Sequence, residues 1–204
     1  NTEKLNSLIL ELLEFRRLET GHKALSIQRL PVSDKLRNIA ESFCELAENK
    51  NLNYQLDIEP DIEWNTDISC FNKIANNLIS NAFKYTPEEG TITVSLKTEN
   101  QHLTLSISNS GKGIAKENLS KIFDRYKILD SFEMNGKNSR NGLGLAICKS
   151  MTTLLNGEIN VSSIQNEVTT FIVTLPELSP SQQEADMSRK EYETTPINLS
   201  LIHI

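Results

Sequence analysis

The stretch NNLISNAFKYT, from Asn76 to Thr86, places three asparagines and a lysine on a helical pattern. Asparagine is a poor helix former, since its amide competes with the backbone for hydrogen bonds. A helix that holds three asparagines therefore needs a further reason to keep them.

The helix predicted from Asp67 to Tyr85 separates its side chains onto two sides. Its apolar side consists of Phe71, Ile74, Ala75, Leu78 and Ala82. Its polar side carries Asn77, Asn81, Lys84 and Tyr85. Neutral amide oxygens suit Mg²⁺, which keeps waters and phosphate oxygens as its other ligands, and a lysine offsets phosphate charge. The row is predicted to face a metal and a nucleotide, although the helix alone is equally compatible with a solvated polar side.

Two glycine-containing stretches follow downstream. NSGKGI, Asn109 to Ile114, comes directly after a predicted strand, and NGLGLAI, Asn141 to Ile147, opens a predicted helix. Glycines at such junctions let the backbone approach a ligand, and a helix N-terminus attracts phosphate. The first stretch is not a P-loop, because Ser106 stands where that loop needs its first glycine and Gly113 where it needs Ser or Thr.

In their order along the chain, these stretches resemble the boxes of the histidine-kinase catalytic domain, in the ATPase superfamily that also holds gyrase, Hsp90 and MutL. NNLISNAFKYT resembles the N box, NSGKGI the first glycine box, IFDRY (Ile122 to Tyr126) the F box and NGLGLAI the second glycine box. LLEFRRLETG, Leu12 to Gly21, is similar to the end of the second dimerisation helix. The resemblance covers about Asn1 to Pro176, and the ordered set is far more specific than its members.

The resemblance implies ATP and Mg²⁺ as ligands and a role for each matching residue. Asn81 is expected to bind Mg²⁺, Asn77 to touch phosphate or metal, Lys84 to contact phosphate and Tyr85 to form a wall of the nucleotide site. Lys84 and Arg125 are the candidate catalytic residues. The remaining expected ATP contacts are Asn109, Gly111, Gly113, Ile114, Tyr126, Gly142, Leu143, Gly144 and Leu145.

Other residues depart from the family's pattern or have a structural alternative. Most relatives carry aspartate where Asn109 stands, so adenine recognition is expected to survive with weaker affinity, because an amide oxygen accepts the bond without charge. Arg140 replaces a usual glycine, and Val168 to Phe171 alters a Gly-Thr-x-Phe motif. Phe123 is expected either to anchor a lid from Lys127 to Asn141 or to be an ordinary core residue.

Periodicity predicts a two-layer α/β (α+β) sandwich, with a mixed, mostly antiparallel sheet and helices on one face. The predicted elements are a coiled-coil-like helix Asn1 to Glu19, strand Ala24 to Arg29, helix Lys35 to Lys50, strand Asn53 to Ile58, a hairpin of Thr91 to Lys97 and Leu103 to Ser108, a short helical piece Lys116 to Phe123, helix Leu143 to Leu155, and strands Glu158 to Ser162 and Thr170 to Leu175. The predicted domains are part of a dimerisation hairpin (1–21), a catalytic domain (22–177) and a tail (178–204). Either a dimer mate or an upstream segment is expected to cover the first helix, unless that helix folds onto its own domain.

Composition narrows the remaining possibilities. The net charge of -6 argues against a nucleic-acid partner. Cys44, Cys70 and Cys148 each lie in apolar patterns and are predicted to be buried free thiols. No apolar run approaches the roughly 18 residues of a membrane span, so this segment is expected to be cytoplasmic without membrane contact, its parent being an inner-membrane sensor.

The resemblance implies transfer of the γ-phosphoryl group of ATP to a histidine on a dimerisation helix. His22, His102 and His203 are not on suitable helices, so the acceptor is expected outside this chain, in its own parent or a dimer mate, with a response regulator or receiver domain as the next partner. The segment Leu199 to Ile204 either begins a following domain or is adapter read-through. Two alternatives stay open: a signalling module that binds nucleotide weakly, and an ATP-hydrolysing clamp, which needs a glutamate that the helix from Asp67 to Tyr85 lacks.

Overall fold

The computed structural model describes residues 24–124 and 143–179. Its elements, in chain order, are β1 (Ile27–Pro31), α1 (Val32–Glu41), α2 (Cys44–Asn49), β2 (Asn53–Ile58), β3 (Glu63–Asp67), α3 (Ile68–Tyr85), β4 (Thr91–Glu99), β5 (His102–Ser110), α4 (Lys116–Leu119), α5 (Gly144–Leu154), β6 (Glu158–Ile164) and β7 (Val168–Pro176). The predicted N-terminal helix, the whole predicted lid and most of the tail lie outside the described residues. No described helix has the length and apolar character to cross a membrane.

Five strands form one sheet in the order β2-β4-β5-β7-β6. Strands β2 and β4 are parallel, and the other neighbours in this sheet are antiparallel. Residues along β4, β5 and β7 alternate between buried positions and partly exposed ones that are mostly Ser and Thr. The buried side faces α3 and α5, so the predicted two-layer mixed sandwich is confirmed.

A separate two-stranded sheet of β1 and β3 leads into the long helix α3. Asp67, the last residue of β3, caps α3, because its Oδ1 accepts a hydrogen bond from the Cys70 N–H at 2.9 Å. Its Oδ2 accepts another from the Ser26 N–H at 2.8 Å. The buried carboxylate thus joins the start of the described chain to the start of α3.

The hairpin between β4 and β5 is confirmed, with a tight turn at Asn100 and Gln101. Both residues have positive φ, 50° and 61°, as turns that join twisted antiparallel strands require. The helix predicted from Leu143 is α5, which begins at Gly144. The piece predicted near Lys116 is helical only through Leu119.

Three sequence-based expectations were wrong. The single helix predicted from Lys35 to Lys50 is divided into α1 and α2, because the chain tightens where Phe43 N–H bonds to the Ala40 carbonyl and the Phe43 ring stacks on Phe83. Strand β3 was not predicted, and β1 lies further along the chain than expected, in register with β3. Cys44 is exposed, whereas Cys70 and Cys148 are buried free thiols as predicted.

Candidate nucleotide-binding site

Helix α3 presents the predicted polar row next to its buried side. All five residues of the predicted apolar side are buried. Asn77 and Asn81 are half-buried, whereas Lys84 and Tyr85 are exposed, with the Lys84 Nζ 5.0 Å from the centre of the Tyr85 ring. Asn76 points elsewhere: it is exposed and its Nδ2 donates to the Asn72 carbonyl at 2.9 Å. The row is therefore exposed at the Tyr85 end and more buried at the Asn77 end, which we call the sheltered end.

The first residue of α5 lies against the sheltered end of this row. A β-carbon placed on Gly144 would lie 3.3 Å from the Asn77 Oδ1. Gly144 leaves room beside the Asn77 amide and is not required by the backbone angle, since its φ is not positive. Leu143 before it is buried, and among the described residues no side chain caps the N-terminus of α5. The structure thus brings the N box together with Gly144 of the second glycine box, at a helix start whose first N–H groups have no partner within the helix itself.

The side-chain amide of Asn77 is incompletely bonded among the described residues. Its Nδ2 is buried there without a hydrogen-bond partner. Burial raises the pKa of the fully buried Cys148 thiol, one turn after Gly144, to about 12, and the Asn77 amide partly offsets the rise. A buried amide nitrogen that lacks a hydrogen-bond partner among the described residues, beside the start of α5, fits an anionic group such as a phosphate. Half-buried amides at Asn77 and Asn81 also fit a hard cation that keeps most of its water.

The first glycine box lies at the other end of the row. Gly111 and Gly113 have φ values of 149° and 72°, which favour glycine. A β-carbon on Gly111 would lie 2.8 Å from the Tyr85 carbonyl oxygen, and one on Gly113 would lie 2.9 Å from the Ile164 carbonyl oxygen. Both residues therefore let the segment after β5 pass close to the end of α3 and to the end of β6. Ile114 N–H donates to the Ser163 Oγ at 2.9 Å in the same place.

Asn109 is a buried polar residue near the end of β5. Only 7% of it is exposed, and it pairs in register with Ile92 on β4 and Thr169 on β7. Its Nδ2 donates to the Ser110 carbonyl at 3.0 Å, and none of its hydrogen bonds within the described residues uses Oδ1. Thr169 is also buried, with its hydroxyl 2.8 Å from that of Ser163. The amide oxygen of Asn109 is therefore the atom that is left to accept a bond from a ligand.

The described part of this arrangement does not include all of the predicted site residues. Arg125, Tyr126, Gly142 and the lid lie outside the described residues, and Leu145 is half-buried on α5. Phe123 makes an edge contact with Phe171, with ring centres 6.3 Å apart, and the Lys149 Nζ lies 5.8 Å from its ring centre. These contacts are those of a core residue.

Sequence reasoning missed Lys50, which contacts the end of α3. Its Nζ donates to the Phe83 carbonyl at 2.8 Å and to the Thr86 carbonyl at 3.2 Å. Pro87 is the one sequence signal, because proline has no N–H with which to bond the Phe83 carbonyl, four residues earlier. The signal predicts a free carbonyl but not the donor that satisfies it.

The family described as "Histidine kinase-, DNA gyrase B-, and HSP90-like ATPase" matches residues 66–179 of this chain. Among curated proteins, Histidine kinase P4 of Formosa agariphila is 36% identical over 175 residues, which cover 84% of this chain and 13% of that protein. Sensor protein SrrB of Staphylococcus aureus is 30% identical over 175 residues, covering 86% of this chain and 30% of that protein. This chain thus spans only a minor part of both relatives.

Solved structures share the fold. Full-length ShkA in complex with AMPPNP superposes with a TM-score of 0.73 at 24% identity, covering 86% of this chain and 36% of that one. The Acinetobacter baumannii histidine kinase AdeS gives a TM-score of 0.71 at 21% identity, covering 87% of this chain and 81% of that one. At these identities the likeness concerns the fold alone.

Proposed function

This chain belongs to the family of histidine kinase-, DNA gyrase B- and HSP90-like ATPases, and on that premise we propose that it is the ATP-binding catalytic part of a two-component sensor histidine kinase. Its activity would be transfer of the γ-phosphoryl group of ATP to a histidine on a dimerisation helix. The names of the two curated relatives, a histidine kinase and a sensor protein, support this choice within the family.

The observation that carries the proposal is the polar row of α3 against the start of α5, which no side chain among the described residues caps. Asn81 would hold Mg²⁺, and the buried amide of Asn77 would bond phosphate or metal beside Gly144. Lys84 would offset phosphate charge and Tyr85 would flank the nucleotide. Mg²⁺ held by these side chains would supply positive charge that offsets the charge developing in phosphoryl transfer. The chain's own contribution is then positioning and charge stabilisation, with Lys84 and Arg125 as the proposed catalytic residues.

The amide oxygen of Asn109, which accepts no hydrogen bond within the described residues, supports adenine as the base. An acceptor at this position pairs with an exocyclic amino group, which adenine carries on its six-membered ring. Gly111 and Gly113 would let the base approach the backbone at the end of β5. The uncharged acceptor also favours one second candidate, a signalling module that binds nucleotide weakly, to which Arg140 could contribute.

The phosphoacceptor would come from another segment or chain. Among the described residues, His102 begins β5, and its Nδ1 lies 2.9 Å from the Asn100 carbonyl in the hairpin turn, so it is not on a helix. His22 and His203 lie outside the described residues. We therefore propose a dimerisation helix of the parent protein or its mate as the acceptor, a homodimeric parent in the membrane, and a response regulator or receiver domain as the onward partner.

The clamp alternative requires a glutamate on the site helix to activate water. Helix α3 has no acidic residue from Ile68 to Tyr85. Phosphoryl transfer to an acceptor fits this helix better than hydrolysis does.

Calorimetric titration with ATP, with and without Mg²⁺, tests the proposal. We expect wild type to bind Mg-ATP more tightly than ATP alone. In Asn81→Ala the gain in affinity that Mg²⁺ produces should be smaller by about tenfold or more, because a cation ligand is missing. Asn76→Ala is the matched control, since it removes an exposed asparagine from another side of the same helix. It should bind as wild type does.

A second measurement follows transfer of phosphate from ATP to a separately supplied dimerisation helix that bears a histidine. We expect wild type to transfer phosphate to this helix and Asn81→Ala to lose that transfer. Absence of binding at millimolar ATP would rule out the kinase proposal. Normal binding and transfer by Asn81→Ala would instead overturn only the assignment of the metal ligand.

A further inference from the structure

The last turn of α3 ends in a way that leaves a backbone carbonyl without a partner in its own helix. The Phe83 carbonyl would ordinarily accept a hydrogen bond from the residue four positions later, but that residue is Pro87, which has no N–H. Lys50 supplies the missing donor from the end of α2, since its Nζ lies 2.8 Å from this carbonyl and 3.2 Å from that of Thr86. An ammonium group at a helix C-terminus is also favoured by the helix dipole.

The backbone of Lys50 holds the following loop as well. Its carbonyl accepts a hydrogen bond from the Glu89 N–H at 3.1 Å, and the Asn53 N–H donates to the Gly90 carbonyl at 2.8 Å. The side chain and the backbone of one residue therefore fix both the end of α3 and the loop that leads into β4. In the same region the Phe83 ring packs against the rings of Phe43 and Tyr54, with ring centres 5.1 Å apart in each pair.

The turn held by Lys50 is the one that carries Lys84 and Tyr85. Both side chains are exposed, so the position of their backbone largely sets where they stand. On the other side of this turn, the Tyr85 carbonyl oxygen would lie 2.8 Å from a β-carbon on Gly111. The turn is thus fixed between Lys50 and the first glycine box, and a small displacement would move Lys84 and Tyr85 relative to that box.

We propose that Lys50 is a positioning residue of the nucleotide site, which holds the last turn of α3 so that Lys84 and Tyr85 face the ligand. This inference rests on the proposed function, because the ligand whose contacts are positioned is Mg-ATP. Lys50 itself would touch no ligand and would act only through the backbone of the turn.

The first test uses the chain without nucleotide and measures amide hydrogen exchange. In Lys50→Met the amides of residues 84–90 should exchange about tenfold faster or more, while those of residues 71–79 in the middle of α3 keep their wild-type protection. Lys50→Arg keeps a cation and donors and should restore most of the protection. Lys97→Met is the matched control: Lys97 forms an exposed ion pair with Asp57, and it lies five residues, about 17 Å, along β4 from the position that pairs with Asn109.

The second test measures the Kd for Mg-ATP by calorimetry. Lys50→Met should raise the Kd about three- to tenfold, Lys50→Arg should raise it less, and Lys97→Met should leave it unchanged. In a background of Lys84→Met with Tyr85→Ala, adding Lys50→Met should change the Kd by less than about twofold, since the groups that Lys50 positions are gone. Simple destabilisation would not depend on that background.

The outcomes separate the two proposals. If wild type binds Mg-ATP but Lys50→Met binds equally well, or if exchange at residues 84–90 is unchanged, the positioning role is overturned and the proposed function stands. An equal loss of affinity in the Lys84→Met, Tyr85→Ala background also overturns it. If wild type does not bind Mg-ATP, the proposed function fails, and the positioning role for that ligand fails with it.

Discussion

Asn109 presents a neutral hydrogen-bond acceptor where most relatives are expected to carry a carboxylate. We predict that Asn109→Asp binds Mg-ATP about three- to tenfold more tightly, because a charged acceptor bonds an amino group more strongly. The same change removes the donor to the Ser110 carbonyl and puts a carboxylate at a position that is 7% exposed. The free energy of unfolding of the ligand-free protein should therefore fall by about 1–2 kcal/mol.

Calorimetry and urea unfolding measure the two effects separately. Asn109→Leu is the control, since it keeps a similar volume without an acceptor, and it should bind Mg-ATP more weakly than wild type. If Asn109→Asp and Asn109→Leu changed the affinity in the same direction, the amide oxygen would not be the contact with the base.

Single residues differ in how far the sequence could predict them. Helical spacing places Asn77 and Asn81 on one side of α3, because that geometry is local, and the burial of the opposite side agrees with it. Lys50 could not be predicted, because its contact with Phe83 spans 33 residues and depends on how α2 packs against α3. Cys44 was wrongly predicted to be buried, because the break between α1 and α2 turns it to solvent.

The start of α5 offers a test in which stability and binding change in opposite directions. Gly144→Ala should leave the free energy of unfolding unchanged or raise it by up to about 1 kcal/mol, because alanine favours a helix. The added methyl group would lie 3.3 Å from the Asn77 Oδ1 and would occupy the approach to the N-terminus of α5. We therefore predict a loss of about fivefold or more in Mg-ATP affinity, measured by calorimetry alongside thermal unfolding.

Gly157, just after α5, is the matched control for Gly144. A β-carbon there would lie 2.5 Å from the Thr174 carbonyl oxygen and 2.6 Å from a Leu175 methyl carbon. Gly157→Ala should therefore lower the free energy of unfolding by about 2 kcal/mol, while the folded fraction binds Mg-ATP normally. Unchanged binding by Gly144→Ala would show that phosphates do not approach this end of α5.

Among the elements, those with a clear period were predicted and those stabilised by partners were not. Strand β2 and the β4–β5 hairpin alternate apolar and polar residues, which is a local signal. Strand β3 has the sequence EWNTD, with Trp64 as its one apolar residue, so it shows no alternation. It forms because β1 pairs with it and because the buried Trp64 donates through Nε1 to the Pro176 carbonyl at 3.3 Å.

Contacts that no local sequence pattern predicts join β1 and β3 to the residues that follow β7. Arg29 on β1 forms ion pairs with Glu63 on β3 and with Glu177 after β7, at 2.8 and 3.4 Å. The Leu178 N–H donates to the Asn65 carbonyl at 3.2 Å, and Leu178 is buried. The fold class follows from the order of helices and strands, whereas the closing of β1 and β3 against the end of β7 requires the three-dimensional packing.

The three thiols report on the whole molecule, because one is exposed and two are in the core. At pH 8 a thiol reagent such as DTNB should label Cys44 rapidly and Cys70 and Cys148 only when the protein opens. Burial raises the pKa of Cys148 to about 12, so its reactive thiolate is scarce in the folded protein. Unfolding returns the thiol to its ordinary pKa of about 8.5, so much more thiolate is then present at pH 8. In Cys44→Ser the rapid phase should disappear.

Ligand binding should then slow only the reactions that need opening. With Mg-ATP at ten times its Kd, the slow phase of labelling should fall about tenfold, because binding to the folded state alone lowers the population of open molecules by that factor. The rate at Cys44 should not change, which makes it an internal control for the reagent. Rapid labelling of Cys148 in the ligand-free protein would contradict the packing of α5 against α3. If the protein binds Mg-ATP but the rate of the slow labelling phase does not change, the core opens without disturbing the nucleotide site.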